Sequence, residues 1–382
     1  MAGLYIHIPF CKRRCYYCDF FSTTLLERRE EYVEALLAEI KARKREAHEP
    51  IRTIYIGGGT PSTLDPMDIL HLLKAIGTRD AEEITMEINP GDATQDYLYM
   101  LRRIGINRLS IGIQSFKDQL LETLGRRHNA MQAIDAVHMA QKAGFDNISI
   151  DLMYALPGQT MTMWEADIEM ALHLGVQHIS SYGLMYEPGT PFTIMRDRGE
   201  LKPVDEQTEL KMYDYLCKRI RQEGFALYEI SNFAQPGYES KHNSSYWNGT
   251  QYIGIGAGAH SYLIQPDENG QIQHVRSWNP DDLDAYISGI MAHNLQRESE
   301  TLSRTDLYNE KIMLGLRTMR GVPLELFDPD RTEDGMEPLP VHPEIVLDYR
   351  RAKLLRIRPD RTVVASKKGR HVLNRIIEDL MI

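Results

Sequence analysis

Six short β-prone runs alternating with amphipathic helical stretches fill the first half of the chain and constrain its fold more than any other feature. The runs are residues 4–8, 53–56, 84–88, 108–113, 147–151 and 178–182. Between them the spacing of apolar residues predicts helices over 29–46, 65–77, 93–105, 118–124, 130–144 and 162–175. Strands that alternate with helices build βαβ units and a parallel sheet. Six repeats are too few to close an eight-stranded barrel. The expected fold class is therefore α/β, an open partial (β/α)6 barrel with its chemistry at the carboxyl ends of the strands.

The later chain reads differently. A helix over 205–224 carries Leu210, Tyr213, Leu216, Cys217 and Ile220 on one face, and segments rich in Gly, Asn and Tyr follow to about residue 280. A helical pattern returns over 305–319. Runs at 354–358 and 362–366, separated by Pro359-Asp360-Arg361, predict a hairpin, with a last helix over 372–381. Three regions are expected: a core domain over 1–200, a connecting region over 201–300, and a smaller, mostly helical, winged-helix-like domain over 301–382. The basic stretch 350–370 reads as a partner-binding patch or as a solvated face paired with the acidic, Pro-rich loop 328–343.

With 382 residues, 42% hydrophobic and 26% charged, the chain falls in the globular range and can bury a full core. A net charge of −10 argues against nucleic acid as its main partner. No run is apolar enough to span a bilayer and no export signal is visible, so a reducing cytoplasm is expected. Clustered cysteines there are metal ligands sooner than disulfides. Three of the four cysteines, Cys11, Cys15 and Cys18, share one loop after the first predicted strand, while Cys217 sits on an apolar helix face and reads as core packing. Zinc wants four ligands. An iron–sulfur cubane also takes four thiolates as a rule, so three on this loop leave one iron open to a substrate or cofactor.

The Cys-x3-Cys-x2-Cys loop resembles that of the radical S-adenosylmethionine (SAM) enzymes, and the resemblance implies a [4Fe–4S] cluster with SAM on its open iron. Other segments agree. Gly57-Gly58-Gly59-Thr60-Pro61 follows the second strand, where glycines admit a ligand to the backbone. Glu87, Gln114 and Asp151 stand at the ends of strands three, four and five. Polar residues at successive strand mouths read as ligand-binding when deeper inward positions are apolar, although any one carboxylate could instead serve a structural cation. The resemblance implies that Tyr5 and Tyr17 line the SAM pocket. It further implies that Gly58, Gly59 and Thr60 hold the methionine end, that Glu87 and Asp151 take ribose or amino contacts, that Gln114 and Arg126 complete the pocket, and that Met185 gives a backbone contact to adenine.

The motifs Tyr5 to Cys11, Gly105 to Ser115, Leu124 to His128 and Leu156 to Thr160 narrow the likeness to the coproporphyrinogen dehydrogenase branch. Two features separate the chain from those enzymes. They carry a further cysteine two residues after the third, where this chain has Phe20. His242-Asn243-Ser244-Ser245-Tyr246-Trp247 is similar instead to the H-N-x-x-Y-W motif of the HemW-type haem chaperones. Imidazole is a common axial ligand of haem iron, and aromatic faces suit a flat macrocycle. The resemblance thus implies haem contact by His242, Tyr246 and Trp247; the residues alone are equally compatible with a hydrogen-bonded histidine in a polar loop. The expected function is a haem chaperone that binds a [4Fe–4S] cluster, SAM and haem and passes haem to an acceptor protein. The alternatives are oxygen-independent coproporphyrinogen III dehydrogenation or another radical SAM reaction on a tetrapyrrole. Whether any radical reaction is catalysed, peripheral membrane contact and a homodimer stay open at this point.

Overall fold

The computed structural model describes residues 2–332 and 337–382. The first half alternates strand and helix as the periodicity predicts. Strands β1 (Ala2–Ile8), β2 (Ile51–Gly58), β3 (Glu83–Ile88), β4 (Arg108–Gln114), β5 (Ile148–Tyr154) and β6 (His178–Gly183) run parallel. Helices α1 (Arg29–Arg43), α2 (Pro66–Ile76), α3 (Gln95–Ile104), α4 (Asp118–Thr123), α5 (Ala130–Lys142) and α6 (Met161–His173) connect them. Local chemistry sets the helix starts: Asp65, Thr94, Asn129 and Thr160 each accept a backbone N–H as N-caps. Gly105 closes α3 in the left-handed conformation that glycine adopts without a Cβ clash.

Along each strand alternate side chains face opposite ways. One set is apolar and wholly buried against the helices: Leu4, Ile6 and Ile8; Ile54 and Ile56; Leu109, Ile111 and Ile113; Ile148, Ile150 and Leu152. The other set lines the lumen and is polar down to its floor: Thr53, Glu83, Arg108, Ser149 and His178 are all buried there. The expectation that deeper inward positions are apolar does not hold. The reason is the helix described next, whose polar face occupies the lumen.

The region expected to be a separate connector instead completes the same sheet on both edges. After α7 (Pro191–Asp197) and α8 (Glu206–Gln222), β7 (Ala226–Leu227) and β8 (Asn232–Ala234) pair antiparallel beside β6. A seven-residue helix, α9 (Lys241–Trp247), leads to β9 (Gln251–Ile255), which pairs parallel with β1. Strands β10 (His260–Pro266) and β11 (Ile272–Trp278), helix α10 (Leu283–Met291) and β12 (Glu298–Thr301) then extend that edge. The result is a twelve-stranded sheet rather than six strands. Buried apolar residues from Ala2 to Ile287 form one cluster, so no core boundary falls at residue 200.

The C-terminal unit has its own core, from Tyr308 to Leu380. It comprises α11 (Arg304–Leu316), β13 (Val322–Pro323), α12 (Pro343–Arg351), β14 (Leu355–Ile357), β15 (Thr362–Ala365), α13 (Lys367–Arg370) and α14 (Leu373–Leu380), with the strands in an antiparallel sheet ordered β13-β15-β14. From the basic stretch and the residue after it, Lys367 and His371 meet Asp214 of α8, each at 3.0 Å. The acidic loop expected to pair with that stretch lies partly, at 333–336, outside the described residues. Cys217 packs against the main core from α8, as the helical pattern predicts.

Candidate functional site

The cysteine loop leaves β1 at the carboxyl end of the sheet and is tied down at several points. Phe10 is fully buried and meets Tyr32 edge-on at 5.3 Å, while Cys11 N–H donates to Thr23 O and Thr23 N–H to Pro9 O. Further along, Tyr16 N–H donates to Leu124 O and Phe192 N–H to Tyr16 O. These contacts aim the thiols of Cys11, Cys15 and Cys18 into one chamber of about 450 Å3. Thr60 Oγ1 lies 3.4 Å from Cys11 Sγ, and Arg126 Nη1 donates to Cys15 Sγ at 3.4 Å. Burial raises the Cys11 thiol and pushes Cys18 to about 11, so thiolates here need a cation to form.

The chemistry of the donor set distinguishes a cluster from a single ion. Among the described residues no three His, Cys, Asp or Glu gather around one metal position. Three thiols that share a chamber without converging on one point fit a group with several iron atoms, each taking one thiolate. Arg126, buried with Nε unpartnered, provides positive charge beside Cys15.

The glycine run is required by packing. A Cβ on Gly59 would fall 2.8 Å from the Pro9 carbonyl and 3.0 Å from Cys11 Sγ. Gly58 has φ +114, and a Cβ there would strike the His7 ring at 2.7 Å. The strand-two glycines therefore seat the cysteine loop directly against β2 and leave the Gly58–Thr60 backbone facing the chamber.

Four polar groups complete the walls. Glu87 accepts from Tyr55 Oη at 2.9 Å and from Gly58 N–H at 3.1 Å; burial, and then Asp151 close by, push its carboxyl to about 7. Asp151 accepts from Ser110 Oγ at 3.2 Å and is pushed by burial to about 6. Burial thus holds both carboxyls above the ordinary carboxylate range. Gln114 adopts φ +73, a strained conformation for a residue with a Cβ, and points into the chamber at the end of β4. Arg126 also donates to Gly112 O, which ties it to the same strand end.

Tyr17, Gly58, Gly59, Thr60, Glu87, Gln114, Arg126, Asp151 and Met185 all line the chamber with the three cysteines. Tyr5 does not. It lies one layer deeper, bonded to His7 Nδ1 at 2.9 Å and tilted against Tyr55. Phe20 and Met185 stand at the mouth, 65% and 69% exposed. Sequence reading missed Tyr55, Arg108, Ser110 and Tyr182, which share the chamber wall. Their signal was period two: Arg108, Ser110 and Gly112 are in phase with Gln114 along β4.

The histidine–tryptophan segment forms α9, and its residues divide. Ser240 caps the helix, and the buried Glu83 carboxylate accepts from Lys241 N–H and His242 N–H, both at 2.9 Å. His242 is fully buried in the lumen. Its Nδ1 bonds Thr53 Oγ1 at 2.9 Å, its Nε2 bonds Tyr246 Oη at 2.9 Å, and its ring stacks on Tyr55 at 5.2 Å. Burial, with Arg108 adding to it, depresses its basicity to about 3, so the imidazole is neutral. Tyr246 and Trp247 instead line a second cavity of about 500 Å3, together with Tyr252, Tyr262, Arg276 and Arg317. Tyr182 and Asn243 belong to the walls of both cavities.

Comparison with known proteins places this geometry. Residues 5–171 match the model of the radical SAM superfamily. Heme chaperone HemW of Lactococcus lactis is 40% identical over 331 residues, 85% of this chain and 83% of that protein. Heme chaperone HemW of Bacillus subtilis is 37% identical, covering 88% of this chain and 89% of that protein. Among solved structures, coproporphyrinogen III oxidase (HemN) of Escherichia coli superimposes with a TM-score of 0.79 over 99% of this chain and 89% of that one, at 22% identity, which establishes a common fold. The identity to the chaperones, sustained over most of both lengths, means that this chain belongs to the HemW family of radical SAM proteins.

Proposed function

We propose that the protein is a haem chaperone: it binds haem, holds it beside a [4Fe–4S] cluster and SAM, and hands it to an acceptor protein. The single observation that carries this reading is the pair of cavities meeting at Tyr182 and Asn243, one containing all three loop cysteines and the other walled by Tyr246 and Trp247. In this reading Cys11, Cys15 and Cys18 hold the cluster, which supplies an open iron for the amino and carboxylate groups of SAM. Gly58, Gly59 and Thr60 offer backbone to the methionine end. Glu87, Gln114, Arg126 and Asp151 close the pocket.

Haem lies in the second cavity against the faces of Tyr246 and Trp247, with Arg276 and Arg317 at hand for its carboxylates. His242 stands behind Tyr246 and orients its phenol. Direct ligation of iron by His242 requires its Nε2 to leave Tyr246 first. A reducing cytoplasm suits the free thiols. No described helix is long and apolar enough to cross a membrane.

The test loads the anaerobic, cluster-reconstituted protein with haem and mixes it with an apo-haemoprotein. Transfer, seen as the acceptor's own Soret spectrum, is the expected result. Incubation of the reduced protein with SAM and coproporphyrinogen III is expected to give no decarboxylated product. Product formation would overturn the chaperone reading.

A further inference from the structure

Arg108 is a buried cation of the lumen that the cluster and SAM assignments leave unused. It opens β4, is 1% exposed, and lines the cysteine chamber. No described residue accepts a hydrogen bond from its guanidinium, and its Nε is buried without a partner. Thr85, opposite it on β3, has a buried and equally unpartnered Oγ1. Asp151, a carboxylate that feels its charge, is engaged by Ser110 instead. A guanidinium carries five donors, and burying one of them, Nε, without a partner is costly, so the group suits an anion entering the chamber that it lines. Its planar fork matches a carboxylate in two parallel bonds.

The position of Arg108 says which carboxylate. Its charge is felt by Asp151 on the chamber side and by His242 and Tyr228 on the side of α9. It lines the cysteine chamber together with Tyr182 and Asn243, the two residues that also wall the second cavity. We infer that Arg108 anchors a propionate-type carboxylate of the tetrapyrrole cargo, which reaches past that shared wall from the second cavity. This inference rests on the tetrapyrrole reading of the second cavity. Because SAM also carries a carboxylate, the experiment separates the two sources.

The cluster-reconstituted, SAM-saturated protein is titrated with coproporphyrin III, a metal-free tetrapyrrole bearing four propionates, and with the neutral tetraamide of the same porphyrin, following porphyrin fluorescence. Arg108→Met is expected to weaken coproporphyrin binding about tenfold or more, equal to about 1.4 kcal/mol, and to leave tetraamide binding unchanged. Arg108→Lys, which retains charge without the fork, is expected to fall between. Since removing an unpaired buried charge relieves a cost, Arg108→Met should melt no lower than the parent. Equal loss for acid and amide, or a lowered melting temperature, would make Arg108 a structural counter-ion and overturn the inference. So would weakened SAM binding with porphyrin affinity intact. If the parent protein binds neither porphyrin, the tetrapyrrole reading itself fails and the inference with it; if the parent binds both and Arg108→Met binds both equally, only the inference fails.

Discussion

His242 is the residue whose structural and functional roles can be separated most sharply, because its burial makes a quantitative statement about pH. In the folded protein its imidazole is neutral, with basicity depressed from 6.5 to about 3 by burial and then by Arg108. In the unfolded chain it protonates near 6.5. Between these values the unfolded state binds the extra proton, so the stability that His242 confers is fully present above pH 6.5 and is lost as pH falls toward 3. One unit is worth 1.36 kcal/mol, so a fall from pH 7 to pH 5 removes about 2 kcal/mol of that contribution.

Substituting His242→Gln, which cannot titrate, isolates this quantity. At pH 7 the variant loses a stacked ring, the Thr53 and Tyr246 hydrogen bonds and much of the packing in a closed lumen. Losses of this kind sum to about 3 kcal/mol. At pH 5 the penalty should shrink by about 2 kcal/mol, because the parent is then itself weakened. Urea unfolding of parent and variant at the two pH values, followed by tryptophan fluorescence, measures the difference. A penalty that is the same at both would refute the buried neutral imidazole. The companion variant Tyr246→Phe frees His242 Nε2. If the imidazole is purely a pillar, haem spectra of Tyr246→Phe keep the parent axial signature; a new histidine-ligated Soret band would show that the bond to Tyr246 normally withholds it.

Glu229 should show the opposite pH sign. It is buried at the edge of the second cavity with one oxygen unpartnered, and burial pushes its carboxyl from 4.5 to about 7. Its contribution is present below pH 4.5 and lost as pH rises to 7, so Glu229→Gln should gain about 2 kcal/mol relative to the parent between pH 5 and pH 7 in the same urea titration. Glu83→Ala removes the acceptor for two N–H groups of α9 and is expected to cost about 2–4 kcal/mol. Limited trypsin digestion should then cut faster after Lys241, and unchanged protection would argue against Glu83 as the cap. Cys15→Ser should abolish the visible charge-transfer absorbance of reconstituted protein, while Cys217→Ser keeps it; equal loss in both would refute the loop assignment.

The parallel half of the fold was legible because each strand and helix carries a complete period of its own pattern. Observed bounds of β4 and α5 differ from the predicted ones by a residue or two. The two edges of the sheet were not legible. Strands of two and three residues, β7 and β8, contain too little alternation to register, and β9 is fixed by its partner β1, some 250 positions earlier in the chain. That Cys11, Cys15 and Cys18 share one chamber was readable from spacing, since three thiols on one loop need no tertiary contact to come together. Tyr5 lies below the chamber lining, at a depth that its motif does not give, because a motif fixes a strand position only.

The placement of α9 explains why the second motif resisted a sequence reading. Lys-His-Asn-Ser-Ser-Tyr-Trp has no apolar stripe, and nothing local makes it a helix except the Ser240 cap. Its stability comes from Glu83 and Thr53, polar residues at the inward positions of two distant strands. A polar helix can dock in the lumen only if the lumen is polar, and a polar lumen is tolerated only if something fills its hydrogen bonds. The inward-facing Thr53, Glu83 and Arg108 and the motif on α9 are therefore one device. Glu83 and Thr53 are satisfied by α9 itself, and Arg108, the member with no protein acceptor, is left for the ligand.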